Sequence, residues 1–148
     1  MNRFHIHVNV DDIPQSIQFY NTLFGTEATV VKDDYAKWLL DDPAVNFAIS
    51  NNRGLKPGLN HVGLQTDDSE GLEAISARLK DADAKTFDEE ATTCCYAVSD
   101  KTWVEDPAGL RWETFFTTGD ATQYGVDASD QIYSAIAAKP ETETAKCC

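Results

Sequence analysis

The chain has 148 residues, of which 42% are hydrophobic and 25% are charged, and its formal net charge is -13. This length and composition are typical of one folded domain, or of two small repeats with a common core, and exclude a disordered chain. The negative charge argues against nucleic acids and anionic membranes as partners, because both repel a surface of that sign.

The first half of the chain predicts a βαβββ unit over residues 1–50. Residues 3–10 alternate between apolar and polar, which is typical of a strand and places His5 and His7 together on its polar face. Apolar residues at helical spacing predict a helix from Ser16 to Phe24 that packs on the apolar face. Three short strands are then expected, at residues 29–32, 36–40 and 45–50.

A second unit with the same order is predicted over residues 59–118, after a linker of turn-forming residues at 51–58. It opens with a strand that carries His61, and a helix from Glu70 to Lys80 follows. The remaining extended pieces, one of which is expected to be a loop, are residues 85–90, 94–98, 101–105 and 110–117.

Residues 119–148 form a polar C-terminal tail in which only a short helix, around Gln131 to Ala138, is expected. No apolar run reaches the roughly 20 residues of a membrane-spanning helix, and the N-terminus shows no signal-peptide pattern. The expected location is therefore the cytoplasm, where the four cysteines are expected to be thiols.

The two halves repeat each other. His5 and His61 open equivalent strands, and Trp38 and Trp103 are matched 65 positions apart. Projecting Glu113 back by the same offset gives Ala48, so only the second half carries a carboxylate there. Because each half is too small to close a core, we expect an α+β fold in which two βαβββ repeats enclose one metal-binding cavity. The two repeats could pair within one chain or between two chains.

Glu113 is the acidic exception in a strand-like run that follows the turn Asp106-Pro-Ala-Gly109. A buried carboxylate needs a cation, a hydrogen-bond network or a metal. Two histidines and one carboxylate facing a cavity form the ligand set of a facial triad with open positions, although zinc or nickel could also bind. We therefore predict His5, His61 and Glu113 as metal ligands, with His7 as a residue that supports them without binding the metal.

Cys94 and Cys95 are adjacent in a polar segment. A buried free cysteine is often only a small apolar residue, and adjacent cysteines do not form a relaxed disulfide. Both can bind one soft ion such as trivalent arsenic, cadmium or zinc. A second pair, Cys147-Cys148, either collects and transfers such an ion or has no role.

These patterns resemble the vicinal oxygen chelate superfamily of glyoxalases and extradiol dioxygenases. More narrowly, the chain resembles the group of cadmium-induced proteins and organoarsenical C-As lyases. The motifs that carry this resemblance, from about residue 3 to Tyr124, are Phe19-Tyr-x-x-Leu-Phe-Gly25, Tyr35-Ala-Lys-Trp38, Thr93-Cys-Cys-Tyr-Ala97 and Asp100-Lys-x-Trp-Val104.

The resemblance implies a non-haem Fe(II)- and O2-dependent lyase that cleaves the carbon-arsenic bond of methylarsenite and aromatic arsenicals and releases arsenite. Cys94 and Cys95 would bind the arsenic while the triad binds iron, and other divalent metals could substitute. We also predict Tyr96 and Lys101 as catalytic residues that flank the thiols and steady the loop or lower the thiol pKa.

Two alternatives stay open. A non-catalytic protein of this fold could sequester cadmium or arsenite through its thiols alone. A glyoxalase-type isomerase would need a second metal-bound carboxylate, and Ala48 at the projected position counts against it. Sequence does not decide between a monomer and a homodimer.

Overall fold

Each half of the chain folds as a βαβββ unit, and the computed structural model describes residues 1–51 and 55–125. Within those ranges no helix is long and apolar enough to cross a membrane. The predicted helix around residues 131–138 and the Cys147-Cys148 pair lie outside the described residues. The elements of the first unit are β1 (Arg3–Asn9), α1 (Ile13–Phe24), β2 (Val30–Lys32), β3 (Tyr35–Asp41) and β4 (Ala44–Ser50). Those of the second are β5 (Gly58–Gln65), α2 (Ser69–Asp81), β6 (Thr86–Cys94), β7 (Ala97–Glu105) and β8 (Arg111–Asp120).

Local signals set the ends of the helices. The Asp12 side chain accepts a hydrogen bond from the Gln15 amide at the start of α1, and Gly25 ends that helix with φ of 68°. Asp68 caps α2 in the same way through the Gly71 amide. Four extended pieces were predicted after α2, and the structure has three strands there. Residues 94–98 do not form a strand of their own, because they comprise the end of β6, a turn and the start of β7.

The two units of one chain join in a single eight-stranded sheet of order β2-β3-β4-β1-β5-β8-β7-β6. The junction is an antiparallel pairing of β1 with β5, while β1 pairs with β4 and β5 pairs with β8 in parallel. Pairing within one chain is therefore observed. Both opening strands lie at the centre of the sheet, which brings His7 directly opposite His61.

The strand registers test the repeat residue by residue. His7 pairs with Ala48 in the first unit, and Gly63 pairs with Glu113 in the second. Because His7 and Gly63 each lie two residues after the equivalent histidine, Ala48 occupies the place of Glu113, as the projection from sequence predicted.

The matching of Trp38 with Trp103 is wrong. Ala48 pairs with Lys37, whereas Glu113 pairs with Trp103, so Trp103 is equivalent to Lys37. Counted between equivalent positions, the chain from β7 to β8 in the second unit is one residue shorter than the chain from β3 to β4 in the first unit. A shift of one residue moves a side chain to the other face of a strand. Trp38 lies in the core beneath α1, while Trp103 contacts the His61 ring on the opposite face.

Helix α1 covers one face of the first unit with a well-packed apolar core. Its buried members are Ile13, Ala36, Trp38, Phe47 and Ile49, with Tyr20 and Phe24 packed against them. This packing fixes the orientation of β1, β3 and β4. The opposite faces of the same strands are thereby directed toward the site.

Candidate metal and thiol site

The sheet curls until its two ends meet. The Tyr96 hydroxyl, in the β6–β7 turn, donates a 2.7 Å hydrogen bond to Asp34 Oδ1 in the β2–β3 turn. These turns join the strands at opposite edges of the sheet order. The face opposite the helices therefore encloses a cavity of about 40 Å³, whose lining includes His5, Glu113 and both cysteines of the Cys94-Cys95 pair.

Three ligand atoms converge on one point. His5 Nε2 and His61 Nε2 are 3.2 Å apart, and Glu113 Oε2 lies 3.5 Å from the first and 3.3 Å from the second. Donor atoms about 2.1 Å from one ion, at angles of about 90–110°, lie about 3.0–3.4 Å apart. The observed separations are close to that range, so the three residues fit a divalent metal ion.

The tautomers of both histidines direct lone pairs at this point. His5 Nδ1 lies 3.0 Å from the Asn46 carbonyl oxygen, and His61 Nδ1 lies 2.7 Å from Asn60 Oδ1. Since each acceptor calls for a proton on Nδ1, each Nε2 presents a lone pair toward Glu113. This arrangement is typical of metal-binding histidines, whose second nitrogen donates to a fixed acceptor.

The protonation states also suit a metal ion. Burial lowers the pKa of His5 to about 3, although the Glu113 carboxylate opposes this. Burial likewise lowers the pKa of His61. Burial would raise the pKa of Glu113, but the Lys101 ammonium and the His61 ring hold it well below its usual range. The site therefore presents two neutral imidazoles and one carboxylate anion.

Lys101 anchors the carboxylate. Its Nζ lies 2.5 Å from Glu113 Oε1, and both side chains are buried. Burial alone would lower the pKa of Lys101, but Glu113 and the sulfur atoms of the two cysteines raise it overall. Because Oε1 is engaged by Lys101, Oε2 is the oxygen that faces His5 and His61.

His7 extends the cluster. The ligand atoms of His5, His7 and His61 all lie within 4.8 Å of one another, so these three buried histidines could also hold a metal ion. His7 Nε2 lies 2.7 Å from Ser50 Oγ. His5 and His61 belong to both possible ligand sets, and the third ligand is either His7 or Glu113. Glu113 Oε2 lies within 3.5 Å of Nε2 of both His5 and His61.

The thiols open into the same cavity. Cys94 and Cys95 are free cysteines whose sulfur atoms lie 3.2 Å apart. The hydrogen bond from Cys94 holds the pKa of the Cys95 thiol well below its usual range, with help from His7 and Lys101 and against the effect of burial. The pair therefore offers a reactive thiolate with a second sulfur beside it.

The β6–β7 turn places the thiols. Cys94 pairs with Ala97, so Cys95 and Tyr96 are its two central residues, and both have positive φ, 56° and 62°. Such a two-residue turn normally carries glycine or asparagine. The contacts of the Tyr96 ring with Tyr35 and Tyr124, together with its bond to Asp34, hold the turn in this conformation.

The two predicted flanking residues differ in position. Lys101 lies on the cavity face between Glu113 and the thiols. The hydroxyl of Tyr96 instead points to Asp34, and this hydrogen bond raises the pKa of Tyr96 to about 12. Tyr96 is therefore placed to steady the turn, one of the two roles predicted for it.

Sequence reasoning missed several residues of the site. Tyr124, in the predicted polar tail, has its hydroxyl 3.6 Å from Cys95 Sγ. Asn60 lies against His61, and Asn46 supplies the carbonyl that orients His5. Only Asn60 gave a signal, as an amide directly before a predicted ligand.

A larger cleft of about 530 Å³ lies between α2 and the β6–β7 hairpin. Two of its carboxylates have local partners, since Asp88 binds Lys80 and Thr102, and Asp100 accepts a hydrogen bond from the Ala91 amide. Among residues 1–51 and 55–125, no histidine or cysteine lines this cleft. We therefore place the chemistry in the smaller cavity, where both occur.

The paired βαβββ units and the convergent ligand atoms are typical of glyoxalase-type proteins with a metal site. The chain belongs to the Glyoxalase/Bleomycin resistance protein/Dioxygenase superfamily, whose family model matches residues 3–114. Among solved structures it is similar to homoprotocatechuate 2,3-dioxygenase from Brevibacterium fuscum, with a TM-score of 0.57 and 18% identity over 81% of this chain and 33% of that one. That likeness confirms the fold.

Curated relatives give a narrower comparison. The chain is 37% identical, over the full length of both proteins, to the probable trivalent organoarsenical cleaving enzyme of Bacillus subtilis. It is 38% identical to the cadmium-induced protein CadI of Mycobacterium tuberculosis, over 84% of this chain and 82% of that protein. The resemblance noted from the sequence motifs, to cadmium-induced proteins and organoarsenical-cleaving enzymes, is confirmed.

Proposed function

We propose that this protein is a cytoplasmic, non-haem Fe(II)- and O2-dependent lyase that cleaves the carbon-arsenic bond of methylarsenite and aromatic arsenicals. Release of arsenite would confer resistance to trivalent organoarsenicals. The observation that carries the proposal is a common cavity lined by the two adjacent thiols and by two members of the metal cluster, His5 and Glu113. The third member, His61, lies 3.3 Å from Glu113 Oε2. A soft-ion trap needs only the thiols.

The thiols would bind the substrate. A hydrated trivalent arsenical, R-As(OH)2, forms two arsenic-sulfur bonds with Cys94 and Cys95 while two arsenic-oxygen bonds break. Each departing oxygen takes one thiol proton, so two water molecules leave and no redox change occurs. The lowered pKa of the Cys95 thiol favours the first attack, because the thiolate is the nucleophile.

His5, His61 and Glu113 would hold the metal. Iron(II) bound by such a set supplies open positions for O2 and its activation, beside a substrate fixed by the thiols. The chain's own contribution is positioning: Lys101 fixes Glu113, the β6–β7 turn fixes the thiols, and the small cavity limits access of bulk water. Other divalent metals can occupy the same ligands.

Thiol-based sequestration is the second candidate function. It is favoured by the low pKa of Cys95 and by the similarity to a cadmium-induced protein. It does not require the buried Glu113. A glyoxalase-type isomerase is disfavoured, because the strand register places Ala48 where a second carboxylate ligand would be needed.

The deciding experiment separates binding from turnover. The protein is incubated anaerobically with Fe(II) and methylarsenite, oxygen is then admitted, and inorganic arsenite is measured. The lyase predicts arsenite only after oxygen enters, with about one arsenical bound per chain beforehand. Arsenical binding without any arsenite under air would leave sequestration as the function.

Two variants assign the roles. Glu113→Gln should abolish arsenite release but leave arsenical binding to the thiols intact, whereas Cys95→Ser should abolish both. Ser99→Ala is a control, because Ser99 lines the same cavity but belongs neither to the thiol pair nor to the metal cluster. Its hydroxyl makes only a weak 3.4 Å hydrogen bond to Thr117. If Glu113→Gln still releases arsenite at the wild-type rate, the carboxylate is not a ligand of the reacting metal.

A further inference from the structure

The junction between β1 and β5 contains a β-bulge at the metal site. His7 pairs with His61, but the next residue, Val8, pairs with Leu59, so Asn60 is an extra residue in β5. Regular alternation would direct Asn60 to the face opposite His61. Bulges re-aim side chains in this way and are frequent beside functional sites.

The re-aimed amide lies in a short, buried hydrogen-bond chain. Asn60 Oδ1 is 2.7 Å from His61 Nδ1, and Asn60 Nδ2 donates a 3.2 Å bond to Asn9 Oδ1. All three side chains are buried. Because Asn9 presents an oxygen, the Asn60 amide keeps its nitrogen toward Asn9 and its oxygen toward His61.

That orientation determines which nitrogen of His61 is free. Two acceptors face the His61 ring, because Asn60 Oδ1 lies 2.7 Å from Nδ1 and Glu113 Oε2 lies 3.3 Å from Nε2. The shorter contact places the ring proton on Nδ1 and leaves the lone pair on Nε2. With the Asn60 amide reversed, its NH2 group would face Nδ1 and the proton would move to Nε2. In that tautomer His61 could not bind a metal through the nitrogen that faces the site.

We propose that Asn60, held by Asn9, is a positioning residue that sets the His61 tautomer and thereby the metal affinity of the site. The inference deepens the metal site of the proposed function and rests on it. The other ligand differs in this respect, since His5 is oriented by the backbone carbonyl of Asn46. Of the two predicted histidine ligands, His61 is therefore the one whose tautomer depends on a side chain.

The first test measures Zn(II) affinity by competition with a chelator, with no arsenical present. Asn60→Leu removes the acceptor at similar volume and should weaken Zn(II) binding about 10–100-fold. Asn60→Asp keeps an acceptor and should bind Zn(II) at least as tightly as the wild type. Wild-type affinity in Asn60→Leu, or equal losses in both variants, would overturn the proposal.

The second test needs no metal. Long-range proton-nitrogen NMR of the His61 ring should report a single Nδ1-protonated tautomer in the wild type and a mixture in Asn60→Leu. Asn9→Leu, which leaves Asn60 present but free to rotate, should also give a mixture. A single unchanged tautomer in Asn9→Leu would contradict the role assigned to Asn9.

A matched control separates tautomer control from general loss of stability. Thr102→Val removes a part-buried hydrogen bond of 2.8 Å to Asp88, on the other face of the sheet, at nearly constant volume. It should leave Zn(II) affinity and the His61 ring signals unchanged. If Asn60→Leu does not fold, Asn60→Asp and Asn9→Leu carry the test. Since only Zn(II) is used, failure of carbon-arsenic cleavage leaves the result interpretable.

Discussion

At the scale of single residues, the Lys101–Glu113 pair holds two opposite charges in the buried wall of the cavity. Nζ and Oε1 lie 2.5 Å apart and both side chains are less than 8% exposed. Each charge compensates the desolvation of the other, so removal of either side chain would leave an unpaired buried charge. A metal at the site would add a second positive partner for the carboxylate.

Lys101→Met should therefore destabilise the metal-free protein by about 3–5 kcal/mol, because it leaves the Glu113 carboxylate buried without its cation. Saturating Zn(II) should recover part of this loss, since the metal then compensates the same carboxylate. Urea unfolding with and without Zn(II) measures both effects. The double variant Lys101→Met/Glu113→Leu should regain stability but not the response to Zn(II). Equal destabilisation with and without Zn(II) would separate Glu113 from the metal.

At the scale of elements, the close approach of β5 to β8 depends on Gly63. This residue pairs with Glu113, and a Cβ at position 63 would overlap the Glu113 backbone carbonyl. Gly63→Ala should force the two strands apart, cost about 1–3 kcal/mol in unfolding free energy, and shift Glu113 away from the histidines. Zn(II) affinity should fall with stability.

Gly119→Ala is the matched control for that substitution. Gly119 also lies in β8, and nothing comes within 4 Å of a Cβ built there. Chemical denaturation and Zn(II) competition of the two variants should therefore diverge. Similar behaviour of Gly63→Ala and Gly119→Ala would mean that the strand contact is not tight.

The contact between the two hairpin turns is a second element-scale feature. Tyr96→Phe removes the hydroxyl that binds Asp34, and both groups are partly exposed, so the loss should be about 1 kcal/mol. Amide exchange at the tip of the β6–β7 hairpin should accelerate about fivefold, the ratio that this free energy gives. Asp34→Asn keeps an acceptor and should exchange more slowly than Tyr96→Phe. Unchanged exchange in Tyr96→Phe would show that ring packing alone holds the turn.

Strand periodicity explains which parts of this structure could be predicted. The alternation in β1 and the spacing of apolar residues in both helices identified the two units and placed His5, His61 and Glu113 on inner faces. The match of Trp38 with Trp103 failed because register depends on connection lengths, and one residue reverses the face. Asn60 was overlooked for a similar reason, since a bulge breaks the alternation on which the prediction relied.

Sequence patterns could not predict contacts between distant segments of the chain. Lys101 was placed beside the thiols, but its ion pair with Glu113 requires the register in which Lys101 faces Phe115, two residues along β8. The contact of Tyr96 with Asp34 requires the curl of the whole sheet. Neither distance follows from local propensity.

At the scale of the whole molecule, the two units share one cavity because their strands form a single sheet. The stability of the folded chain is therefore coupled to the metal site. His5 and His61 come from β1 and β5, and Glu113 comes from β8, so a metal held by these residues would link both units. A metal that binds only the folded chain raises stability by mass action. A homodimer stays a prediction that light scattering would test.

Acid should destabilise the metal-free protein before its carboxylates titrate. The folded-state pKa of His5 is about 3, whereas an unfolded histidine titrates near its ordinary value of 6.5. Between these values the unfolded chain binds more protons, so the unfolding free energy is fully retained above about pH 6.5 and falls as pH decreases. The loss from His5 should be on the order of 1 kcal/mol at pH 5.5, and the lowered pKa of His61 adds to it with the same sign.

Urea unfolding in the presence of a chelator, from pH 8 to pH 5, measures this dependence. The Glu113 pKa is also lowered, but its contribution is present above the ordinary carboxylate value and is lost only at lower pH, so the histidines dominate in this window. His5→Gln replaces the titrating ring with a neutral amide and should flatten the slope. A wild-type unfolding free energy that does not change between pH 6.5 and pH 5 would mean that the imidazoles are protonated in the folded protein, and two charged rings could not receive a metal through Nε2.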